Sequence, residues 1–165
     1  MRALVVGRFQ PLHNGHVQLI RRALEECVNV TVAIGSSTAR PSLRNPFTLD
    51  ERRRMLEAVF ANQVQIVALP DIHDPARWAA HVLSITGPVD RLYGNDADNT
   101  GLFEAAGMMV ESPGLVERER FEASRIRAQL AEDDPAWRKA VPAAVARLLD
   151  EWRAPQRLMS MEGLA

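Results

Sequence analysis

Cysteine and lysine occur once each in this 165-residue chain, as Cys27 and Lys139. A lone cysteine excludes an internal disulfide, and its place in a helical pattern predicts a buried thiol. Long apolar runs are also missing. The first, Ala3–Val6, has four residues, and no window approaches the ~18 needed to span a bilayer. Neither a membrane span nor a signal-like segment is expected, so the expected location is the cytoplasm. Charge of one sign is missing too. The net charge of −1 offers no general attraction to nucleic acid or to a membrane surface. There is no internal repeat and no low-complexity segment. What replaces lysine is arginine, 19 residues of it. Its planar guanidinium suits bidentate contacts to phosphate.

The composition that is present, 47% hydrophobic, is enough for a sizeable core. The length predicts one domain, 1–153, followed by a weakly patterned tail, 154–165. Apolar runs bounded by turn residues alternate with helical patterns. Strands are expected within 2–9, 28–37, 64–70, 89–96 and 108–113. Helices are expected within 15–27, 48–60, 75–87, 101–107, 122–132 and 141–152. Thr48 and Glu51 have the spacing of a capping box, and Gly87 before Pro88 is a helix stop. Strict alternation of strand and helix predicts an α/β, Rossmann-like, doubly wound parallel sheet of about five strands, with helices on both faces. Ligands bind such sheets beyond the carboxyl ends of the strands, so the residues following each strand matter most.

After the first strand comes "GRFQPLHNGH", Gly7–His16. Gly7 permits close backbone approach, Arg8 adds charge, and His13 and His16 lie at a helix start, where free N–H groups favour anions. The loop is neither a dinucleotide fingerprint nor a P-loop. Two histidines also raise the question of zinc, but no further ligand pattern accompanies them. After the second strand, a long polar loop carries Arg40 and Arg44. After the third come Asp71, Ile72 and Trp78, where an indole at a pocket edge can stack on a flat ring or else pack in the core. After the fourth come Gly94 and Asn95. Late in the chain, Ser124 and Arg127 lie three apart at a helix start. His13, His16, Arg44, Ser124 and Arg127 are all suited to polyphosphate. No Ser–His–Asp arrangement and no prominent carboxylate pair stands beside them.

The loop at 7–16 matches the G-x-F-x-P-x-H-x-G-H signature of the nucleotidyltransferase superfamily with an H-x-G-H motif. "SRIR", 124–127, resembles its second signature. With "RNPFTLDER" and "DIHDPARW" the chain resembles the archaeal-type nicotinamide-nucleotide adenylyltransferases from residue 1 to about 152. That resemblance implies an enzyme joining ATP to nicotinamide mononucleotide, giving NAD and pyrophosphate. It implies that His13 and His16 contact the ATP phosphates, with His16 at the reacting region and Arg127 among the catalytic groups. Gly7, Arg8 and Phe9 would line the nucleotide through the loop. Arg44 would bind phosphate, Ser124 and Arg127 the β- and γ-phosphates, and Gly94 and Asn95 would lie near adenosine. Trp78 would stack on the nicotinamide ring, with Asp71 and Ile72 by its amide. Magnesium would arrive on the ATP phosphates, with no protein metal ligands. A homo-oligomer is expected, with small-molecule substrates and neither nucleic acid nor membrane as partner. The chain departs from its relatives at Glu122 and Ala123, where they carry small polar residues, and at Pro75. The alternatives are another adenylyltransferase with this motif, acting on pantetheine phosphate or a flavin, a cytidylyltransferase, or a nucleotide sensor without catalysis.

Overall fold

The computed structural model describes residues 1–114 and 122–162. The chain forms two compact units. The first consists of Met1–Arg8, Gln18–Thr38 and residues 62–114, and the second of Phe9–Val17, Ala39–Ala61 and residues 122–162.

The first unit holds a five-stranded parallel sheet: β1 (Arg2–Gly7), β2 (Asn29–Ile34), β3 (Gln65–Ala68), β4 (Arg91–Tyr93) and β5 (Met109–Glu111). The order is β3-β2-β1-β4-β5 and every pairing is parallel. β1 is central, with Ala3, Leu4 and Val5 each at most 1% exposed. A strand covered on both faces must be apolar at every position, which is why its sequence does not alternate. Leu4 lies opposite Thr31 and Leu92, and its face of the sheet carries the core of Leu4, Ala33, Leu69, Leu92, Val82 and Phe103. That core is covered by α3 (Pro75–Thr86) and α4 (Ala97–Ala105). The opposite face meets α1 (Asn14–Glu26), where Tyr93 Oη donates to Glu26 Oε2 at 2.7 Å and Arg91 Nη1 lies 3.3 Å from both oxygens. Strand order reverses between β1 and β4, which places a crevice beyond Gly7 and Gly94.

The second unit is helical. Its elements are the first turn of α1, α2 (Leu49–Phe60), α5 (Ala123–Ala131), a 3-10 turn at Pro135–Ala140, α6 (Ala143–Glu151) and α7 (Ala154–Glu162). α5 packs on α7 and on the 3-10 turn, and α2 packs on α6. Thr48 caps α2 as its spacing predicts: Thr48 Oγ1 accepts from Glu51 N–H at 3.1 Å, and Glu51 Oε1 accepts from Thr48 N–H at 3.0 Å. Pro75 opens α3, where its missing N–H costs nothing, and Gly87 at φ 77° stops that helix.

Two segments differ from expectation. α4 starts at Ala97, four residues before the expected 101–107, because Asp96 caps it by accepting from Asp98 N–H. The Asn99–Gly101 stretch lowers helix propensity and hides the first turn. The weakly patterned tail from 154 contains a full helix, α7, with Ala154, Pro155 and Leu158 buried.

Candidate active site

The two histidines of "HNGH" are tied to one another by the start of α1. His13 precedes the helix and takes the first helical hydrogen bond, from Val17 N–H to its carbonyl at 3.0 Å. Its ring Nδ1 accepts from the N–H groups of Gly15 at 3.1 Å and His16 at 3.3 Å. In return, His16 Nδ1 accepts from His13 N–H at 3.2 Å. This is the reciprocal pattern of a capping box, with imidazoles in place of Ser/Thr and Glu. The spacing of three follows directly, since a helix-capping residue and the third helical residue face each other across one turn.

The capping sets the tautomers. A backbone N–H only donates, so both Nδ1 atoms must present lone pairs, and in neutral rings the proton then sits on Nε2. Each imidazole offers one N–H donor outward and has no spare lone pair. The rings stack with centroids 3.6 Å apart at 22°. Phe9, at φ 54° and 1% exposed, packs edge-on against His16 with centroids 4.8 Å apart. Its left-handed backbone is a strained conformation for a bulky residue. The Phe9 side chain is thus spent on the ring of His16, leaving its backbone to line the loop. Burial holds His13 down to about 3 from the usual 6.5, with the Arg127 cation adding to the effect. Burial, then the charge of His13, also holds His16 well below 6.5. Both rings are neutral at pH 7. The N–H groups of Gly15 and His16 at this helix start are therefore occupied, and the rings present two Nε2–H donors in their place.

Arg127 supplies the fixed charge. It lies on the second turn of α5, half-buried, and its Nη1 donates to the Gln10 carbonyl at 2.9 Å. Ser124 is the second residue of α5 and is exposed, after Glu122 at the cap position. Arg44 is exposed in a tight turn: Ser42 and Asn45 exchange N–H···O bonds at 3.2 and 3.1 Å with Leu43 and Arg44 between them. Just beyond, Phe47 is gripped by Gln10, whose Nε2 donates to Phe47 O at 3.0 Å and whose Oε1 accepts from Phe47 N–H at 2.9 Å. The same segment is held from the tail: Arg157 makes paired contacts to Glu51 at 2.7 and 2.8 Å and a third to Pro46 O at 3.2 Å. Burial would raise the Glu51 carboxyl, but the hydrogen bonds from Arg157 and Thr48 outweigh it and hold it low. In the second unit the structure thus gathers His13, His16, Phe9 and Arg127, and leaves Arg44 and Ser124 on exposed turns.

The other expected site residues belong to the first unit. Gly7 ends β1, and its carbonyl accepts from Gly35 N–H at 2.8 Å. Arg8 is half-buried beside Gly35. Gly94 has a steric reason to be glycine: a Cβ there would lie 2.8 Å from Thr100 Cγ2. Asn95 Oδ1 accepts from Gly114 N–H at 2.8 Å, and its buried Nδ2 has no hydrogen-bond partner among the described residues. Asp71 is exposed and accepts from Ser36 Oγ at 2.9 Å. Ile72 lines a cavity of about 480 Å³ together with Asp74, Arg77, Ala80 and His81. Trp78 is half-buried. It packs against the Leu4 core, and its indole N–H donates to Asn99 Oδ1 at 3.1 Å. The tryptophan is therefore partly core and partly accessible, so the two roles open from sequence are not exclusive.

Gln10 and Arg157 carry no mark in the sequence. Their partners lie 37, 117 and 106 residues away, and no local pattern reports that.

Among the described residues no group of three or more His, Cys, Asp or Glu side chains is gathered as metal ligands. The histidine pair does not start one, because both Nδ1 lone pairs are taken and both Nε2 atoms carry protons. Two N–H donors beside a guanidinium instead suit phosphate oxygens.

Similarity to known proteins gives the family. Residues 4–94 match the cytidylyltransferase-like family. A Picrophilus torridus protein named nicotinamide-nucleotide adenylyltransferase is 35% identical over 165 residues, covering 98% of this chain and 97% of its own length. The protein of that name from Haloarcula marismortui is 37% identical over 161 residues, covering 96% and 85%. Among solved structures, a bifunctional NMN adenylyltransferase/ADP ribose pyrophosphatase from Francisella tularensis, complexed with AMP and Mn ion, has a TM-score of 0.75 at 20% identity. The match covers 99% of this chain but 53% of that one, so this chain spans about half of that protein. It shows a shared fold.

Proposed function

The chain belongs to the nicotinamide-nucleotide adenylyltransferases, within the cytidylyltransferase-like family, and from that premise we propose how its residues carry the transfer of AMP from ATP to nicotinamide mononucleotide. The 5′-phosphate oxygen of the mononucleotide attacks the α-phosphorus of ATP. One P–O bond forms, the α–β bridging bond breaks, and pyrophosphate leaves with its electron pair. The nucleophile is already an anion, so no strong base is required. Alignment of two anions and stabilisation of charge on the transferring group do the catalytic work.

The observation that best supports this reading is the mutually capped histidine pair beside Arg127. Preset, neutral Nε2–H donors stabilise developing charge without reorganising when the reaction occurs. His13 and His16 take ATP phosphate oxygens, His16 at the reacting region, while Arg127 and Ser124 take the β- and γ-phosphates. Arg44 adds a phosphate contact from its turn. Gly7, Arg8, Phe9, Gly94 and Asn95 receive the rest of the nucleotide. Asp71, Ile72 and Trp78 receive the mononucleotide, with the exposed part of the indole against the ring.

The Francisella tularensis protein was solved with an Mn ion; the ion assigned here is Mg²⁺, carried by the ATP phosphates and water as part of the substrate. The fit is chemical: both imidazoles present N–H and neither presents a lone pair. The substrates are small molecules. No described helix is long and apolar enough to cross a membrane. A cytoplasmic homo-oligomer is the working assignment.

The test is to incubate the protein with ATP and Mg²⁺ and with nicotinamide or nicotinic acid mononucleotide in turn, measuring dinucleotide and pyrophosphate. Stoichiometric NAD and pyrophosphate are expected. Turnover of pantetheine phosphate or a flavin mononucleotide with neither pyridine substrate used would replace this assignment. ATP binding without pyrophosphate release would indicate a sensor.

A further inference from the structure

Gln10 occupies one of the unspecified positions of the loop signature, yet it is 1% exposed and hydrogen-bonded through both ends of its side-chain amide and through its carbonyl. Its side-chain amide pairs with both backbone groups of Phe47, as a peptide group would pair with another. Phe47 is itself 2% exposed, so its N–H and carbonyl have no solvent to turn to. Glutamine provides a donor and an acceptor in one plane at this reach. Gln10 also offers its main-chain carbonyl to Arg127 Nη1 at 2.9 Å.

Three segments meet at this residue: the loop leading to His13, the segment 42–47 that contains Arg44, and α5, which carries Ser124 and Arg127. We propose that Gln10 is a positioning residue for ATP, which sets the Arg127 guanidinium against the histidine pair by clamping its own peptide to Phe47. The side chain touches no substrate. It acts by fixing the plane of the 10–11 peptide, and so the direction in which the carbonyl points at Arg127. A guanidinium on a long side chain has many rotamers, and a fixed acceptor on one Nη narrows the orientations open to the fork. The proposal rests on the assignment of Arg127 to ATP phosphates.

The test is a double-mutant cycle read by calorimetry of ATP binding, with Mg²⁺ present and no mononucleotide. Q10M keeps the length and apolar stem and removes both amide bonds. In a folded Q10M protein, ATP affinity is expected to fall about tenfold or more, while KM for the mononucleotide stays within about twofold. In the Arg127→Ala background, Q10M is expected to change ATP affinity by less than about twofold, because the group it positions is gone. Equal loss for both substrates, unchanged ATP affinity, or the same tenfold loss in the Arg127→Ala background would overturn the proposal. If Q10M does not fold, Q10N keeps the amide on a stem one methylene too short to reach both Phe47 groups, and the same four-protein cycle applies with a smaller expected loss. Wild-type turnover is measured alongside. An inactive wild type refutes the assigned reaction, whereas an active wild type with an additive cycle refutes the role of Gln10 alone.

Discussion

Mild acid should destabilise this protein well above the range where carboxylates titrate. His13 is 5% exposed and is held neutral down to about 3, against 6.5 when free. Between those values the unfolded chain binds a proton that the folded chain refuses. Stability from the neutral ring is complete above 6.5 and is lost as pH falls from 6.5 toward 3. At pH 5 the unfolded state has gained about 2 kcal/mol from this one group, against a few tenths at pH 7. His16 acts in the same direction. Glu51 and Asp150, both held low, lose their contribution at more acidic pH, below ordinary values of 4.5 and 3.8, so the interval from pH 7 to 5 chiefly reads the histidines. The assay is urea unfolding followed by circular dichroism at pH 7 and pH 5, on wild type and on His13→Asn. Asparagine is a good helix cap and does not titrate. Wild type should lose about 2 kcal/mol or more, equivalent to ~4–8 °C in melting temperature for a chain of this size, and His13→Asn about 2 kcal/mol less. Equal stability of wild type at both pH values, or an equal loss in His13→Asn, would refute the buried, mutually capped pair.

His16→Ala removes one donor at the reacting region and should cut turnover about 10²-fold or more, with milder loss of ATP binding; steady-state kinetics and calorimetry check it, and a near-normal rate removes His16 from catalysis. Arg157→Ala breaks the paired contact to Glu51, whose side chain is 13% exposed. It should cost about 1–3 kcal/mol in urea unfolding, below the cost for a fully buried pair, and weaken ATP binding by loosening the segment next to Arg44; no stability change would mean the tail helix is not an anchor. Trp78→Ala should raise KM for the mononucleotide at least about tenfold beyond any change for ATP, while Trp78→Phe, which keeps a ring and loses the bond to Asn99, should stay within a few-fold. Equal shifts for both substrates in Trp78→Ala would make the indole purely a core residue.

The elements of the sheet were readable because each signal is local. The apolar run of β1, the capping box of Thr48 and Glu51 and the stop at Gly87 each depend on residues a few positions apart. The helix α4 was less so, because Asn99 and Gly101 depress its propensity, and α7 was missed because its amphipathic pattern is weak without the partner it packs on. The histidine pair occupies a middle ground. Its position at a helix start was legible. Its tautomers were not, because they depend on which backbone N–H each ring nitrogen meets.

The sequence by itself determined the α/β order, the capped start of α2 and the proline start of α3, and the residue types available to a ligand, all of them properties of short windows and of side-chain chemistry. Tertiary structure alone decided that the helix N–H groups are used by the imidazoles, that Phe9 is packed on His16, and that Arg157 braces Glu51. It also decided that an unmarked glutamine at position 10 pairs with Phe47 and accepts from Arg127. The physical reason is burial. A backbone group removed from water must find a partner wherever the fold brings one, and here the partners come from 37 to 117 residues away.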